Sequence, residues 1–231
     1  MFFLNGRPSF HQFKMIQRIF WGIIYGLAIF WICNAQNWSP YLLFIPLLLV
    51  CVEFIKMEKL KVWEKIFGII YVSYASYSIW SISYYSNTDN LSILFIIFGL
   101  IWISDSMAFF GGKFFGKNPL APSISPNKTI EGAVIGFICT LLIGCFSLNY
   151  IDPMSEFKSI NSWQRISWAL PLTISISAPL GDLIGSKFKR LAGVKDSGTF
   201  LPGHGGALDR FDSFLLSVIL VQVFQSYILI S

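Results

Sequence analysis

Seven apolar runs, separated by short polar segments, constrain the fold of this chain more than any other feature. An apolar helix of about 20 residues crosses the hydrocarbon core of a bilayer. Most of the runs approach that length, although the second is short and contains Pro46. The candidate spans are residues 19–35, 41–55, 62–84, 91–110, 130–150, 166–185 and 214–230. The sequence therefore predicts an all-α fold, a polytopic bundle of about seven transmembrane helices.

The composition is typical of a membrane protein. Hydrophobic residues make up 55% of the chain and charged residues only 13%, whereas soluble domains average about 25% charged residues. The length of 231 residues suggests one domain. The four cysteines lie inside apolar runs without a CxxC pair, so neither a disulfide framework nor a zinc site is indicated.

The basic residues predict the orientation, because cytoplasmic loops of membrane proteins carry an excess of Lys and Arg. With a cytoplasmic N-terminus and seven crossings, all of the 17 basic residues except Lys158 and Arg165 fall on the cytoplasmic side. The first apolar run is too long for a signal peptide and lacks a small-residue cleavage site, so we expect a retained span. The net charge of +5 then indicates topology and an anionic ligand rather than nucleic acid.

Segment 186–212, between the last two runs, concentrates charge and glycine. Its cations are Lys187, Lys189, Arg190, Lys195 and Arg210; its carboxylates are Asp196, Asp209 and Asp212, with Asp182 just upstream; its glycines are Gly198, Gly203, Gly205 and Gly206. Carboxylates can hold hard cations, and Lys and Arg can hold phosphates. This combination predicts phosphoryl or nucleotidyl transfer on the cytoplasmic side.

Helical spacing aligns several of these side chains. If the sixth helix continues beyond residue 185, four of them share one face at i, i+4, i+7 and i+8: Asp182, Ser186, Lys189 and Arg190. A helix that merely ends in snorkelling cations would not explain Asp182. Asp209 and Asp212 are spaced i, i+3 at the start of the seventh helix, where capping of the helix dipole is the alternative role.

A second charged region begins at Asp105, late in the fourth run. An ionisable residue within a span is a functional-site candidate, and the alternative is a pair with Lys113 that steadies the helix end. Ser125 and Thr129 are expected to cap the fifth helix, with Pro126 near its first turn. Such a helix N-terminus beside Lys113, Lys117 and Lys128 would attract an anion.

Two further ionisable residues stand alone. His204 lies between glycines, and a phosphate or backbone contact is favoured over zinc ligation because no other His or Cys is near it. Glu53, near the end of the second run, is expected to snorkel or to pair with a nearby Lys.

Segment 186–212 resembles the signature of phosphatidate cytidylyltransferases, also called CDP-diacylglycerol synthases. The matching positions are Ser186, Lys189, Arg190, Lys195, Asp196, Gly198, Leu201, Pro202, His204, Gly205, Gly206, Asp209, Arg210 and Asp212. Asp105 with FFGGKFFGK and then SPNKTIEG is similar to the family's second block. The chain departs from the family pattern at Gly185, where many members carry Glu, at Ala207, where a larger aliphatic residue is usual, and at Asn127, where Lys is common.

The resemblance implies transfer of CMP from CTP to phosphatidate at the cell (inner) membrane, with a site facing the cytoplasm. It implies magnesium on Asp182 and Asp209, with Asp212 as a further candidate, and leaves a second cation and a homodimer open. The expected catalytic residues are Asp182, Lys189, Arg190, Lys195, Asp209 and Arg210, of which the four cations would hold the phosphates of CTP and phosphatidate. The expected substrate-binding residues are Asp105, Lys113, Ser125, Lys128, Thr129, Ser186, Asp196, His204, Gly205 and Gly206. Residues 19–104 would be mainly scaffold and residues 105–231 the catalytic half.

A membrane transporter of cations or phosphate is the alternative function, since Asp residues within spans also line ion paths. Such a protein would be expected to show paired broken helices in two halves, and no such repeat is evident in the sequence. A CDP-alcohol phosphotransferase would need a DGxxAR motif, which is absent.

Overall fold

The computed structural model describes residues 10–35, 38–86, 93–150, 160–198, 200 and 205–224. The helices in these ranges are α1 Phe10–Cys33, α2 Ser39–Lys56, α3 Val62–Ser86, α4 Ile93–Phe115, α5 Ile130–Tyr150, α6 Ile160–Leu191 and α7 Leu208–Val223. Between α4 and α5 lies a small antiparallel hairpin of β1, Pro119–Ala121, and β2, Ser125–Thr129. The predicted helical bundle is confirmed, and the hairpin is its one departure within the described ranges.

Five helical segments are long and apolar enough to cross a membrane. They are Ser39–Lys56, Val62–Tyr84, Ile93–Phe115, Ile130–Leu148 and Ser167–Leu191. Helix α1 contributes a shorter apolar stretch, Phe20–Cys33, and the described part of α7 has 16 residues. The described residues therefore support five of the predicted spans, and the count of seven crossings stays a prediction.

Helix α7 lies in the interior of the bundle, packed against α3, α4 and α6. The ring of Phe214 on α7 stacks on Phe98 of α4 with centroids 4.0 Å apart. Phe211, one turn earlier, meets Phe98 and Tyr25 edge to face. Because such aromatic packing fixes both position and rotation of a helix, the polar first turn of α7 is held at a defined place among its neighbours.

Small residues bring the remaining helices close together. A Cβ added at Gly132 of α5 would lie 2.6 Å from the carbonyl oxygen of Ala108 on α4, and one at Gly136 would lie 2.9 Å from the Cβ of Ala108. Small residues at such crossings let helix backbones approach in a membrane, where packing rather than the hydrophobic effect drives association. The end of α4 is thereby held against the start of α5.

The crossing of α6 and α7 depends on glycine in the same way. A Cβ at Gly181 would lie 2.6 Å from the carbonyl oxygen of Asp212, and one at Gly185 would lie 2.6 Å from the Cβ of Asp212. A glutamate at position 185, which many members of the resembled family carry, would not fit this helix spacing. The close crossing places the charged residues of α6 directly beside those of α7.

Helix α6 has 32 residues and ends at Leu191, beyond the predicted end at residue 185. It stops in a Schellman motif, in which the N–H of Val194 bonds to the carbonyl of Lys189 and that of Gly193 to Arg190. Gly193 has φ of 69°, a conformation that suits glycine. The helix therefore carries Asp182, Ser186, Lys189 and Arg190, as their spacing predicts.

The hairpin corrects part of the prediction for the fifth helix. Thr129 does cap α5, since its Oγ1 accepts a hydrogen bond from the N–H of Gly132 at 3.1 Å. Ser125 and Pro126 instead lie on β2, where Ser125 pairs with Ala121. The strand begins there because the chain turns back on itself after β1, a pairing that the spacing of helix caps does not reveal.

Candidate functional site

The first ion pair of the site joins the hairpin to α6. The ammonium group of Lys128 on β2 contacts Oδ2 of Asp182, and Ser186, one turn further along α6, donates to Oδ1 of Asp182 at 3.3 Å. Asp182 and Lys128 are each less than one third exposed, at 29% and 28% of their side-chain surface. Three predicted site residues from two separate segments are thus brought together.

The second cluster joins α6 to α7. The Nζ of Lys189 lies 2.7 Å from Oδ1 of Asp209 and 3.9 Å from Oδ2 of Asp212. These side chains are among the more buried charges of the site, with 11% exposure for Lys189 and 8% for Asp209. Lys189 therefore bridges the two carboxylates at the start of α7.

Asp209 also organises the loop that precedes α7. Its Oδ2 accepts hydrogen bonds from the N–H and Oγ of Ser197, at 2.9 and 3.1 Å, and from the N–H of Gly206 at 2.8 Å. Burial by itself would raise the pKa of Asp209, but the hydrogen bonds from Lys189, Gly206 and Ser197 outweigh it and hold that pKa below its ordinary value. Helix capping explains the Gly206 contact but not the bridge to Lys189.

Gly205 permits this arrangement. It has φ of 85°, and a Cβ at this position would lie 2.5 Å from Oδ2 of Asp209. Glycine is therefore needed where the loop turns against the carboxylate. The predicted site residue His204 lies outside the described residues, whereas Gly205 and Gly206 lie inside them.

Asp105 reaches the same region from α4. Its charge interacts with those of Asp182, Lys128 and Arg210, and Asp212 interacts with both Asp182 and Asp105. No ion pair between Asp105 and Lys113 is present in the described part of the chain, so the alternative role, a pair that steadies the helix end, is not observed. Carboxylates from α4, α6 and α7 thus lie within electrostatic range of one another.

The side chain of Arg190 binds backbone carbonyls, which is not the environment expected of a phosphate ligand. Its Nε donates to the carbonyl of Ile124 in the hairpin turn at 3.0 Å, and its Nη1 donates to the carbonyl of Val194 at 3.2 Å. It therefore links the hairpin to the end of α6.

Arg210 is the cation most clearly available to a ligand. Its Nε is buried and has no hydrogen-bond partner among the residues that the structure describes. The Tyr25 hydroxyl donates to the backbone carbonyl of Arg210 at 3.3 Å, which helps to fix this turn of α7. The remaining predicted charges are exposed and make no ion pair with another described residue: Lys113, Lys195 and Asp196.

Glu53 is a site residue whose role the sequence did not predict. Its Oε1 accepts a hydrogen bond from the N–H of Ala207 at 2.7 Å, and its Oε2 accepts one from Leu208 at 2.9 Å. Contrary to the expectation of snorkelling or a nearby Lys partner, its carboxylate binds the start of α7 and makes no ion pair with a Lys among the described residues. A lone carboxylate in an apolar run was the available signal, but it does not identify the partner, which lies 154 residues away.

The residues present fit a hard cation that shares its ligands with a substrate. Among the residues described, no three His, Cys, Asp or Glu side chains lie close enough to hold a metal ion by themselves. Asp209 and Asp212 nevertheless share one ammonium group, which shows that both can turn toward a single cation. Magnesium is commonly held by one or two carboxylates together with substrate phosphates and water.

Comparison with known proteins agrees with this geometry. A model of the cytidylyltransferase family matches residues 3–228. The phosphatidate cytidylyltransferase of Staphylococcus haemolyticus (strain JCSC1435) is 43% identical over 143 residues, which are 60% of this chain and 52% of that protein. Those of Staphylococcus aureus (strain COL) and Staphylococcus saprophyticus are 43% and 41% identical over similar lengths, again 52% of each protein.

The chain spans about half the length of the curated relatives that it matches. The family model, by contrast, covers nearly all of this chain, including every described element of the site. The clustered carboxylates and cations of α6, α7 and β2 and this match lead to one assignment: the chain belongs to the cytidylyltransferase family.

Proposed function

We propose that this protein transfers CMP from CTP to phosphatidate, forming CDP-diacylglycerol and pyrophosphate. The observation that carries the proposal is the cluster in which Lys128 and Lys189 meet Asp182, Asp209 and Asp212 at one crossing of α6 and α7. The name of the relatives and the family of the chain support it. Nothing comparable favours the transporter alternative.

The reaction requires little acid–base chemistry from the protein. A phosphate oxygen of phosphatidate attacks the α-phosphorus of CTP, the bond from that phosphorus to the β-phosphate oxygen breaks, and pyrophosphate leaves with the bonding electrons. The attacking oxygen is already anionic, so no general base is needed. The site must instead hold two anions together, which positioned cations achieve.

Arg210 is the first residue that we assign to a phosphate. A buried donor without a partner is costly, and a phosphate oxygen would satisfy the Nε of Arg210 with a charge-assisted hydrogen bond. Lys195 and Lys113 are exposed and can reach outward to a nucleotide or a lipid phosphate. Lys189 and Arg190 were expected to hold phosphates as well, and in this proposal they do so only by exchanging their present partners.

Magnesium would be held by Asp182 and Asp209, with Asp212 as a further candidate, as the family resemblance implies, and substrate phosphates and water would complete its ligands. When bound, the ion supplies positive charge that polarises the phosphates of CTP. Ser186 and Lys128 keep Asp182 in place, and Lys189 keeps Asp209 and Asp212 near each other.

The proposed location is the inner membrane, with seven crossings and the site in the cytoplasm. The charge distribution supports this, since only Lys158 and Arg165 of the basic residues fall on the other side. A cysteine at Val194, which is exposed between α6 and α7, should escape a membrane-impermeant maleimide in intact cells. A cysteine at Ser159 should be labelled, and permeabilised cells should expose both. Equal labelling of the two reporters in intact cells would contradict the topology.

The enzymatic proposal is tested with purified protein, CTP, phosphatidate and magnesium. We expect pyrophosphate and a lipid-linked CMP to appear together in equal amounts, because one bond is made for each bond broken. Omitting phosphatidate should abolish both products. Pyrophosphate release without phosphatidate, or equal turnover with ATP, would refute the proposal.

A further inference from the structure

The carboxylate of Glu53 acts as a helix cap supplied from the opposite half of the chain. The first N–H groups of a helix have no partner within it. In α7, Ala207 occupies the N-cap position and makes no side-chain capping bond. The N–H groups of Ala207 and Leu208 donate instead to the two oxygens of Glu53, at 2.7 and 2.9 Å. One side chain on α2 thus satisfies two backbone donors at the start of α7.

The carboxylate fits closely against two glycines of the loop before α7. A Cβ at Gly198 would lie 2.7 Å from Oε1 of Glu53, and one at Gly206 would lie 2.5 Å from the same oxygen. Any larger residue at these positions would force the Glu53 carboxylate or the loop to move. The close fit of the Glu53 carboxylate to both glycines distinguishes this contact from a chance approach of a surface side chain.

Glu53 and Asp209 together hold the whole start of α7. The N–H groups of Ser197 and Gly206 donate to Asp209, and the next two N–H groups along the chain donate to Glu53. Ser197 in the middle of the loop, the two residues before α7 and the first residue of α7 are thus attached to carboxylates. Asp209, Arg210 and Asp212 all lie on or just after this turn.

The end of α2 also contacts α6 through one aromatic pair. Phe54, the neighbour of Glu53, is fully buried and meets Phe188 of α6 edge to face, with ring centroids 4.9 Å apart. Phe188 directly precedes Lys189, which bridges to Asp209 and Asp212, in the sequence of α6. Glu53 therefore contacts α7, and its neighbour Phe54 contacts α6. These are the two helices that carry the site.

We propose that Glu53 is a positioning residue of the site. By holding the first turn of α7 against α2, it keeps Asp209 and Arg210 in register with Lys189. It acts through the backbone of α7 and needs no contact with a reacting group. The consequence for turnover rests on the proposed function, whereas the consequence for α7 does not.

The substitution Glu53→Gln tests the contact first. Glutamine keeps the length of the side chain, but its NH2 group would face one of the two N–H donors instead of accepting from it. We expect amide hydrogen exchange at residues 206–208 to become about tenfold faster, on the scale of losing one hydrogen bond to a charged acceptor. Glu58→Gln, in the exposed turn after α2, is the matched control and should leave this exchange unchanged.

Turnover provides the second readout, measured per mole of folded protein. Because misplacement of reacting groups by about 1 Å can cost on the order of 100-fold in rate, we expect Glu53→Gln to lower kcat by about 10- to 100-fold and to raise the magnesium concentration for half-maximal activity. Glu53→Asp keeps the charge and both acceptors on a shorter side chain and should recover part of the loss. A purely stabilising role would lower the folded yield but leave kcat and magnesium dependence unchanged.

The outcomes separate the two proposals. Unchanged exchange at residues 206–208 in Glu53→Gln, or faster exchange with unchanged kcat and magnesium dependence, overturns the positioning role. If the wild-type protein makes no CDP-diacylglycerol, the proposed function fails, while the exchange comparison still decides whether Glu53 holds α7. Faster exchange together with lower kcat, and partial recovery by Glu53→Asp, supports the inference.

Discussion

Replacing Asp209 with asparagine is expected to lower CMP transfer at least about 100-fold, the scale of losing one electrostatic contributor at a reacting centre. Asn keeps the size of the side chain but removes the charge that faces Lys189. Asn has a single acceptor oxygen, so it cannot accept from Lys189 on one side and from Ser197 and Gly206 on the other. The variant therefore loses the charge of a proposed metal ligand and one side of the contacts that Asp209 makes.

The measurement for Asp209→Asn is turnover against magnesium concentration at matched folded yield. Raising magnesium should restore part of the activity if weaker metal binding causes the loss. Lys158→Gln, on the predicted far side of the membrane, should retain wild-type turnover and wild-type magnesium dependence. Near-normal activity of Asp209→Asn with an unchanged magnesium profile would remove Asp209 from the metal site and leave it a helix cap.

Replacing Lys189 with methionine should have the second large effect, on both stability and turnover. Methionine fills a similar volume without charge, so Asp209 and Asp212 would lose the ammonium group that lies 2.7 and 3.9 Å from them. Breaking a buried ion pair by removing one partner costs about 3–5 kcal/mol, because the remaining charge is buried without compensation. We expect a lower Tm and a loss of activity of about 100-fold or more.

The matched control is Lys187→Met, since Lys187 lies on the same helix but is exposed. Tm is measured by thermal unfolding in detergent, with and without magnesium. A divalent cation can replace the missing positive charge, so magnesium should raise the Tm of Lys189→Met more than that of the wild type. A Tm equal to that of Lys187→Met, with or without magnesium, would show that the bridge to Asp209 and Asp212 contributes nothing.

The sequence by itself determined the helical elements of this protein, because the relevant forces are local. In a bilayer an apolar run must satisfy its backbone hydrogen bonds internally, so it becomes a helix almost irrespective of its neighbours. Helix α5 accordingly has the predicted bounds, Ile130–Tyr150. The alignment of Asp182, Ser186 and Lys189 on α6 also follows from helical spacing alone. Thr129 was identified as a cap because its partner lies only three residues away.

The short hairpin shows where local reasoning fails. Ser125 and Pro126 have the residue types of a helix start, yet they lie on β2 because the chain pairs with β1. A strand of 5 residues depends on its partner for nearly all of its hydrogen bonds. Its existence therefore depends on how α4 and α5 end beside each other.

Only the tertiary structure decided which charges are paired. Lys128 meets Asp182, which is 54 residues away, and Glu53 meets the start of α7 from 154 residues away. Arg190, expected to bind phosphate, donates to backbone carbonyls instead. An ion pair or hydrogen bond depends on separations of a few ångströms, which are set only when whole helices pack. Here Gly181 and Gly185 set the spacing of α6 and α7. Candidate site residues could therefore be proposed from the sequence, whereas their partners, and the contact of Glu53 with α7, required the fold.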